Sequence, residues 1–201
     1  MIQTPLKLKA LLKPIIRPIK RVIKKILRIE GGGQDNYWER RKSMLYYQET
    51  LKLAKKYAPD AETVIDVGSH NTQFLTLVDW IPSKTAIDLR RRPSIPGVMG
   101  IQGDFMQFGP ENRFDLVLCL QVLEHLDSPA LFTQKLLEIG KTVVITVPYK
   151  WPKGLCPSHC QDPVDEDKLL SWTEKSWLEK EIVTDDKDAR LIAVFEGTTA
   201  G

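Results

Sequence analysis

From residue 60 onward, the hydrophobic residues fall into short continuous runs separated by polar segments. The runs rich in β-branched residues predict five strands, over residues 63–68, 85–88, 97–101, 114–120 and 142–147. Because these runs are continuous rather than alternating, they are typical of parallel strands buried on both faces. Strands that alternate with helices predict a doubly wound α/β sheet.

Two segments before and between these strands have helical spacing. Residues 36–58 predict one helix, with Asp35 or Asn36 as its N-cap. A second helix follows Ser128 as its capping residue, starts on a proline and ends at Gly140. These helices supply the layers that a parallel sheet needs on its faces.

The end of the chain has a different pattern. A predicted helix over residues 165–172 precedes two apolar runs, 178–183 and 190–195, which flank an Asp-rich turn at 185–188. Two strands joined by a tight polar turn form an antiparallel hairpin. The predicted fold is therefore α/β and Rossmann-like, with a mostly parallel sheet closed by a C-terminal antiparallel hairpin.

The first 29 residues predict a basic amphipathic helix. Pro14 and Pro18 each remove a backbone donor and predict a kink, and Gly31, Gly32 and Gly33 predict a hinge after it. The apolar residues follow steps of three and four and form one stripe: Leu8, Leu11, Leu12, Ile15, Ile16, Ile19, Val22, Ile23, Ile26 and Leu27.

Charge separates this arm from the rest of the chain. The 201 residues carry a net charge of +3, yet residues 1–29 hold nine of the 29 basic residues and no acid. The remainder has 20 basic and 26 acidic residues, a net charge of −6. We therefore expect two parts, a basic arm over 1–30 and a domain over 31–201. Three cysteines are too few for a disulfide framework and favour a reducing, cytoplasmic setting.

The arm suits an anionic membrane surface, and we expect residues 5–29 to lie on one, at the inner face of the cell membrane. The alternative is that its apolar stripe packs on the protein itself or on a partner. Nucleic-acid binding is not expected, because no aromatic residue accompanies the charges to stack on bases. No run approaches the roughly 20 apolar residues of a transmembrane helix.

Acidic residues stand at the carboxyl ends of the predicted strands, where open parallel sheets bind ligands. Asp66 precedes Gly68 at the first strand end, and Asp88 ends the second strand about 20 residues later. An acid at that second position is suited to accept hydrogen bonds from ribose hydroxyls. Asp104 and Phe105 follow the third strand and suit an adenine ring, so the set suggests an adenosine-bearing ligand.

These segments resemble motifs of the class I S-adenosylmethionine-dependent methyltransferases of the small-molecule type. The resemblance extends over about residues 60–197 and rests on segments 64–68, 87–88, 103–105, 114–117 and 122–126, the last of which contains a Leu-Glu-His sequence. It implies S-adenosylmethionine as the cofactor. The cofactor-binding residues that it implies are Asp66, Gly68, Ser69, Asp88, Asp104, Phe105 and Gln121.

The glycine-rich turn departs from the family pattern. The family usually has three glycines there, whereas this chain keeps Gly68 and has His70 and Thr72 at the other two positions. Side chains at these positions narrow the approach of the backbone to a ligand, and His70 would need a positive φ. This departure keeps open the alternative of a degenerate cofactor-binding scaffold that performs no catalysis.

Histidines after the fourth and fifth strands are the catalytic candidates. The resemblance implies that His125 lies near the methyl-acceptor pocket, and a histidine, which titrates near neutrality, can take the proton of a hydroxyl acceptor. His159 and Asp162 resemble a His-x-x-Asp-Pro segment of some relatives and are secondary candidates. For all three, the alternative is a structural hydrogen bond within a loop.

No metal is expected at these loops from sequence. Some quinone-pathway relatives bind a metal through a Glu that precedes the Leu-Glu-His segment, and Gln121 or Val122 stands at that place here. The segment 156–160 contains two cysteines and a histidine, but they are too crowded for the usual zinc-ligand spacing.

These features predict a methyltransferase that methylates an oxygen of a small-molecule, lipid or lipid-linked glycan acceptor at a membrane surface. The degenerate scaffold, recruited to a membrane or a protein partner, is the first alternative. A nucleotide-dependent oxidoreductase is the second, since Asp88 also suits NAD. A GxGxxG turn, however, is missing from the sequence.

The arm predicts salt-sensitive binding of the full-length protein to anionic vesicles, measured by co-sedimentation. Each basic residue near such a surface contributes about 1 kcal/mol, and salt screens that part but not the apolar part. Binding at low salt should fall by several kcal/mol when four basic residues are replaced by Gln: Lys20, Arg21, Lys24 and Lys25.

Replacing Ile19, Ile23 and Ile26 with Ser should instead remove the part that survives high salt. Deletion of residues 1–30 is the control and should leave cofactor affinity unchanged. Unfolding of the domain after this deletion, or full-length protein that ignores anionic vesicles at low salt, would show that the stripe belongs to a protein core.

Overall fold

The computed structural model describes residues 34–198; the predicted arm over residues 1–30 lies outside this part of the chain. The chain divides into a short N-terminal unit that ends at Arg40 and a main unit from Arg41 onward. The strands are β1 (Thr63–Val67), β2 (Ser83–Asp88), β3 (Met99–Gln102), β4 (Phe114–Leu120), β5 (Gly140–Pro148), β6 (Glu179–Asp185) and β7 (Asp188–Glu196). The α-helices are α1 (Gln34–Arg41), α2 (Leu45–Tyr57), α3 (Pro129–Ile139) and α4 (Glu166–Thr173).

All seven strands form one sheet with the order β3-β2-β1-β4-β5-β7-β6. Strands β1 to β5 are parallel, whereas β7 pairs antiparallel with both β5 and β6. This arrangement confirms the predicted parallel sheet with a C-terminal hairpin. The strand order reverses between β1 and β4, so the loops after these two strands flank the crevice where open α/β sheets bind ligands.

The central strands are buried because their apolar residues face helices or loops on both sides. Val64 and Ile65 of β1, and Val117 and Leu118 of β4, are fully buried. Successive side chains of a strand point to opposite faces, so full burial of neighbours requires cover on both faces. Polar groups of these strands therefore reach a ligand only at the strand ends.

The crossovers before β4 differ from the predicted alternation of strand and helix. Between β1 and β4, the structure has short 3₁₀ turns at Phe74–Thr76 and Phe105–Gln107 instead of α-helices. Phe74, Leu75 and Ile81 are nevertheless fully buried. Their apolar side chains cover the sheet although the segment is not an α-helix, because the segment runs along the face of the sheet.

The single helix predicted over residues 36–58 is wrong: the structure has α1 and α2 with a break between them. Asp35 and Asn36 lie inside α1 rather than at its cap. Met44, which precedes α2, is extended (φ −64°, ψ 138°). The carboxylate of Asp185 accepts hydrogen bonds from the first two amides of α2, at 2.7 Å and 3.3 Å, so a residue of the distant hairpin stabilises the new helix start.

The other helix ends agree more closely with the sequence. Pro129 begins α3 and Gly140 follows its end, although the Ser128 side chain makes no capping hydrogen bond. Asp165 caps α4 by accepting from the Lys168 amide at 3.0 Å. Among residues 34–198, no helix has the length and apolar character that crossing a membrane requires.

Candidate functional site

The candidate site lies at the carboxyl edge of the sheet, where the loops after β1, β2, β4 and β5 begin. In the turn after β1, Gly68 has a φ of +78°, and a Cβ there would lie 2.6 Å from a methyl carbon of Val122. A larger residue would therefore push apart the turns that follow β1 and β4. Gly68 therefore allows the backbone of the turn after β1 to lie against the Val122 side chain in the turn after β4.

The two other positions of this turn carry side chains without opening it. His70 has the expected positive φ, +48°. Thr72 closes the turn, since its amide and its hydroxyl both donate to the Ser69 carbonyl, at 3.0 Å and 2.9 Å. The turn is therefore ordered by polar contacts in place of the missing glycines.

Asp88 at the end of β2 links this turn to the next loop. Its Oδ2 accepts from the His70 amide at 3.0 Å, and its Oδ1 accepts from the amides of Arg90 and Arg91 at 2.9 Å and 3.3 Å. A carboxylate has about four acceptor positions, so about one remains for a ligand hydroxyl. The carboxylate is 8% exposed, and its role toward a ribose stays a prediction.

Asp66 and Ser69 supply buried polar atoms beside this turn. Asp66 Oδ2 and Ser69 Oγ have no hydrogen-bond partner among the described residues, although the two residues are only 2% and 4% exposed. Burial, with a smaller effect from the charge of Asp88, raises the pKa of Asp66 to about 7. Buried polar groups are normally paired, so these two atoms indicate the place of a polar or cationic ligand.

The remaining predicted cofactor residues have protein partners. Asp104 accepts from the Met106 amide at 2.9 Å. The ring of Phe105 packs against Phe132 with centroids 4.7 Å apart and is 5% exposed, so little of it is open to an adenine. Gln121 has a φ of +59°, and its side-chain amide donates to the Thr146 hydroxyl at 3.2 Å.

The structure brings the three catalytic candidates together. The rings of His125 and His159 meet edge to face with centroids 4.7 Å apart. Nδ1 of His159 lies 2.8 Å from Asp162 Oδ2, and Nδ1 of His125 lies 3.0 Å from the Ser158 carbonyl. Since both partners are acceptors, each Nδ1 donates a hydrogen bond, and in the neutral form of a ring Nε2 is the nitrogen that can accept a proton.

Glu124 belongs to the same cluster, although the sequence analysis predicts a role only for its neighbour His125. Its side chain is 1% exposed, and Oε2 has no partner in the described part of the chain. Burial raises the pKa of Glu124 to about 8. Ligand-type atoms of Glu124, His125 and His159 all lie within 4.8 Å of one another.

The loop after β5 folds over the turn after β4 and creates this cluster. The amides of Cys160 and Gln161 donate to the Glu124 carbonyl at 2.9 Å and 3.2 Å, and the Gln161 side chain donates to the Leu126 carbonyl at 2.8 Å. Trp151 stacks on His159 with centroids 5.7 Å apart. Glu124 is therefore buried by a segment more than 30 residues away, which the local sequence does not reveal.

His125 stands on the open side of the cluster. Burial lowers its pKa, while the hydrogen bond to the Ser158 carbonyl opposes that effect. The imidazole is therefore neutral at physiological pH, with Nε2 free to accept a proton or bind a cation. The cluster therefore combines imidazole nitrogens of His125 and His159 near the surface with the buried carboxyl group of Glu124.

No protein-family model matches the chain, and no curated protein sequence matches it. Solved structures share its fold. 1,6-Didemethyltoxoflavin-N1-methyltransferase from Burkholderia thailandensis superimposes with a TM-score of 0.64 over 99% of this chain and 92% of that protein, at 14% identity.

Two further neighbours have the same architecture. The N-methyltransferase NodS from Bradyrhizobium japonicum has a TM-score of 0.59 over 82% of this chain and 90% of its own, at 16% identity. Magnesium protoporphyrin IX methyltransferase from Synechocystis has a TM-score of 0.58 over 92% of this chain and 100% of its own, at 16% identity. All three were crystallised with S-adenosylhomocysteine. The likeness confirms the predicted fold class.

The raised pKa values of Asp66 and Glu124 predict a pH-dependent stability. Both values, about 7 and about 8, lie above the value of about 4 of an unfolded carboxyl group. Each of the two groups then binds its proton more tightly in the folded chain, so its contribution to the free energy of unfolding is fully present below about pH 4 and is lost as the pH rises through the folded pKa. The loss should be on the order of 2–4 kcal/mol per group.

Urea unfolding at pH 5 and pH 8 measures this fall. Asp66→Asn and Glu124→Gln should each reduce it. Asp115→Asn is the matched control: hydrogen bonds from Lys141 and the backbone outweigh the effect of burial and hold the pKa of Asp115 at about 2, so the fall should persist in this variant. A wild-type stability that is equal at the two pH values would contradict the assignment of neutral buried carboxyl groups.

Proposed function

We propose that this chain, which has the fold of the class I S-adenosylmethionine-dependent methyltransferases, methylates an oxygen of a small-molecule, lipid or lipid-linked glycan acceptor. The observation that carries the proposal is the pair of buried oxygens, Asp66 Oδ2 and Ser69 Oγ, which lack partners among residues 34–198. They lie at the switch in strand order, where this fold binds its ligands.

The residues of this edge fit S-adenosylmethionine. The cofactor supplies a methyl group on a positively charged sulfur, together with an amino group, a carboxylate and ribose hydroxyls. Asp66 offers a buried carboxylate to a cation, and Ser69 offers a hydroxyl. Asp88 keeps about one acceptor position for a ribose hydroxyl. Gly68 keeps the turn after β1 close to the turn after β4.

The histidine cluster supports an acceptor that must lose a proton. His125 takes the hydroxyl proton through Nε2, while its Nδ1 donates a hydrogen bond to the Ser158 carbonyl. The acceptor oxygen then forms a bond to the methyl carbon as the carbon–sulfur bond breaks, and the sulfur keeps the electron pair. His159, oriented by Asp162, is the second candidate for the same step. In-line positioning supplies the rest of the rate enhancement.

The basic arm supports a membrane-associated acceptor. Residues 5–29 would hold the protein at an anionic surface at the inner face of the cell membrane, where lipid and lipid-linked glycan acceptors occur. A freely soluble small molecule remains compatible with the same chemistry.

A second candidate function is a cofactor-binding scaffold without catalysis, recruited to a membrane or a partner. The observation in its favour is the turn after β1. His70 and Thr72 replace glycines there, and three backbone amides already occupy most of the Asp88 carboxylate. Such a protein would bind S-adenosylmethionine but would not convert it.

Calorimetric titration of the full-length protein with S-adenosylmethionine, S-adenosylhomocysteine and NAD tests the proposal. We expect the first two to bind and NAD not to bind. Asp88→Ala should weaken S-adenosylmethionine binding by about 1.5–3 kcal/mol, the value of hydrogen bonds to a charged acceptor. Asp115→Asn should bind normally, because Asp115 lies at the amino end of β4, opposite the carboxyl edge that holds the site. Preferential binding of NAD would overturn the proposal.

Once an acceptor is known, His125→Ala should lower turnover about 10²-fold or more with little change in S-adenosylmethionine affinity. His159→Ala is measured in parallel, because either imidazole can take the proton. Cofactor binding without turnover in the wild-type protein would favour the scaffold. Wild-type turnover in both variants would leave catalysis to positioning alone.

A further inference from the structure

Glu124, His125 and His159 have the composition of a metal site. Two imidazoles and one carboxylate are the donor set of catalytic zinc sites and of non-haem iron sites that keep open positions for water or substrate. One ligand atom from each residue lies within 4.8 Å of the other two. Two of the residues follow β4 and the third follows β5, so the fold itself assembles the donors.

Both imidazoles are oriented as metal ligands usually are. Nδ1 of His159 pairs with the Asp162 carboxylate at 2.8 Å, and Nδ1 of His125 pairs with the Ser158 carbonyl at 3.0 Å. A metal-binding histidine almost always donates its second ring N–H to a carboxylate or a backbone carbonyl, which fixes its tautomer. With Nδ1 as the donor, Nε2 is the nitrogen of each ring that can bind a metal.

The buried carboxyl groups favour a cation at this cluster. Glu124 is 1% exposed and Asp162 is 7% exposed, yet Glu124 Oε2 and Asp162 Oδ1 have no hydrogen-bond partner among the described residues. Burial of a carboxylate without a partner is costly. A cation beside Glu124 would stabilise the ionised form of Glu124. Asp162, which pairs with Nδ1 of His159, would add a second negative charge near the cation.

The dimensions of the cluster are close to those of a metal site. Zinc–nitrogen and zinc–oxygen bonds of about 2.0–2.2 Å put ligand atoms about 3–4 Å apart, slightly less than the 4.8 Å limit seen here. A modest approach of the exposed His125 ring to the other two residues would close the difference. Glu124 lies on the buried side of the cluster and His125 on the exposed side. Coordination positions not filled by the protein would therefore be open to solvent or substrate on the side of His125.

We propose that Glu124, His125 and His159 bind one divalent transition-metal cation, such as Zn²⁺, and that Asp162 acts as a positioning residue for His159. Mg²⁺ fits less well, because it prefers oxygen ligands. The nearby thiols have other contacts: Cys160 Sγ lies 3.3 Å from the Leu126 carbonyl and Cys156 Sγ lies 3.2 Å from the Ser158 hydroxyl. The cluster of ligand atoms within 4.8 Å contains no cysteine sulfur, so the proposed ligand set has no thiolate.

What the cation does rests on the proposed methyl transfer, whereas its binding does not. With the cation present, His125 and His159 hold it and no longer act as bases. The cation lowers the pKa of an acceptor hydroxyl that replaces a water at an open position, and the proton leaves to solvent. This mode favours acceptors whose oxygen can reach the cluster.

The test uses full-length protein that has been stripped with a chelator and dialysed. Zn²⁺ is titrated against a chromophoric chelator, and Co²⁺ is added separately to record its absorption spectrum. We expect one equivalent of metal per chain and no thiolate-to-cobalt charge-transfer band. Glu124→Gln, His125→Ala and His159→Ala should each weaken binding at least about 100-fold, and Asp162→Asn should weaken it about 10–100-fold.

Matched controls separate this site from other ligands. Cys156→Ser and Cys160→Ser should bind Zn²⁺ like the wild type, and so should His70→Asn, which changes the histidine of the turn after β1. Far-UV circular dichroism checks that each variant is folded, and Glu124→Gln keeps the size of the buried side chain.

Two results would overturn the proposal: folded wild-type protein that binds no stoichiometric Zn²⁺ or Co²⁺, or binding that survives in the three ligand variants. Titration of the same stripped samples with S-adenosylmethionine keeps this outcome separate from the proposed function. Cofactor binding without metal binding would reject the metal site alone, and the reverse would reject the methyltransferase alone.

Discussion

The central strands of this protein are covered on both faces, and that constraint governs where its chemistry can occur. Val64, Ile65 and Val117 are fully buried, so the strands carry no polar side chain that opens to solvent along their middle. Polar groups are concentrated where the strands end, and two of them, Asp66 and Glu124, are themselves almost fully buried. A buried carboxyl group without a partner is unfavourable, which makes these positions the natural places for a cation.

The turn after β4 contacts both the turn after β1, where the cofactor is proposed to bind, and the loop after β5, which carries part of the histidine cluster. Val122 packs against Gly68, while the Glu124 carbonyl accepts two amides from the loop after β5. A ligand at the turn after β1 and a ligand at the histidine cluster would therefore meet across one short segment. This continuity suits a transfer reaction, in which donor and acceptor must be held in line.

The altered glycine turn retains its order by a different set of interactions. His70 adopts a positive φ, and its amide is held by Asp88, whose other oxygen accepts the amides of Arg90 and Arg91. The same contacts that replace the missing glycines also use most of the carboxylate expected to bind a ribose. The predicted ribose contact and the order of the turn therefore depend on the same side chain.

The sequence by itself determined the strands, the C-terminal hairpin and the candidates at the strand ends, because continuous apolar runs and turn residues report burial and backbone preference locally. It also singled out His125, His159 and Asp162. Tertiary structure decided what depends on distant partners. Asp185 accepts hydrogen bonds from the first amides of α2, about 140 residues away along the chain, and so stabilises a helix start that the sequence analysis did not predict. The loop after β5 buries Glu124 and brings His159 into contact with His125. Such contacts depend on how the elements pack, and no local pattern of residues encodes that packing.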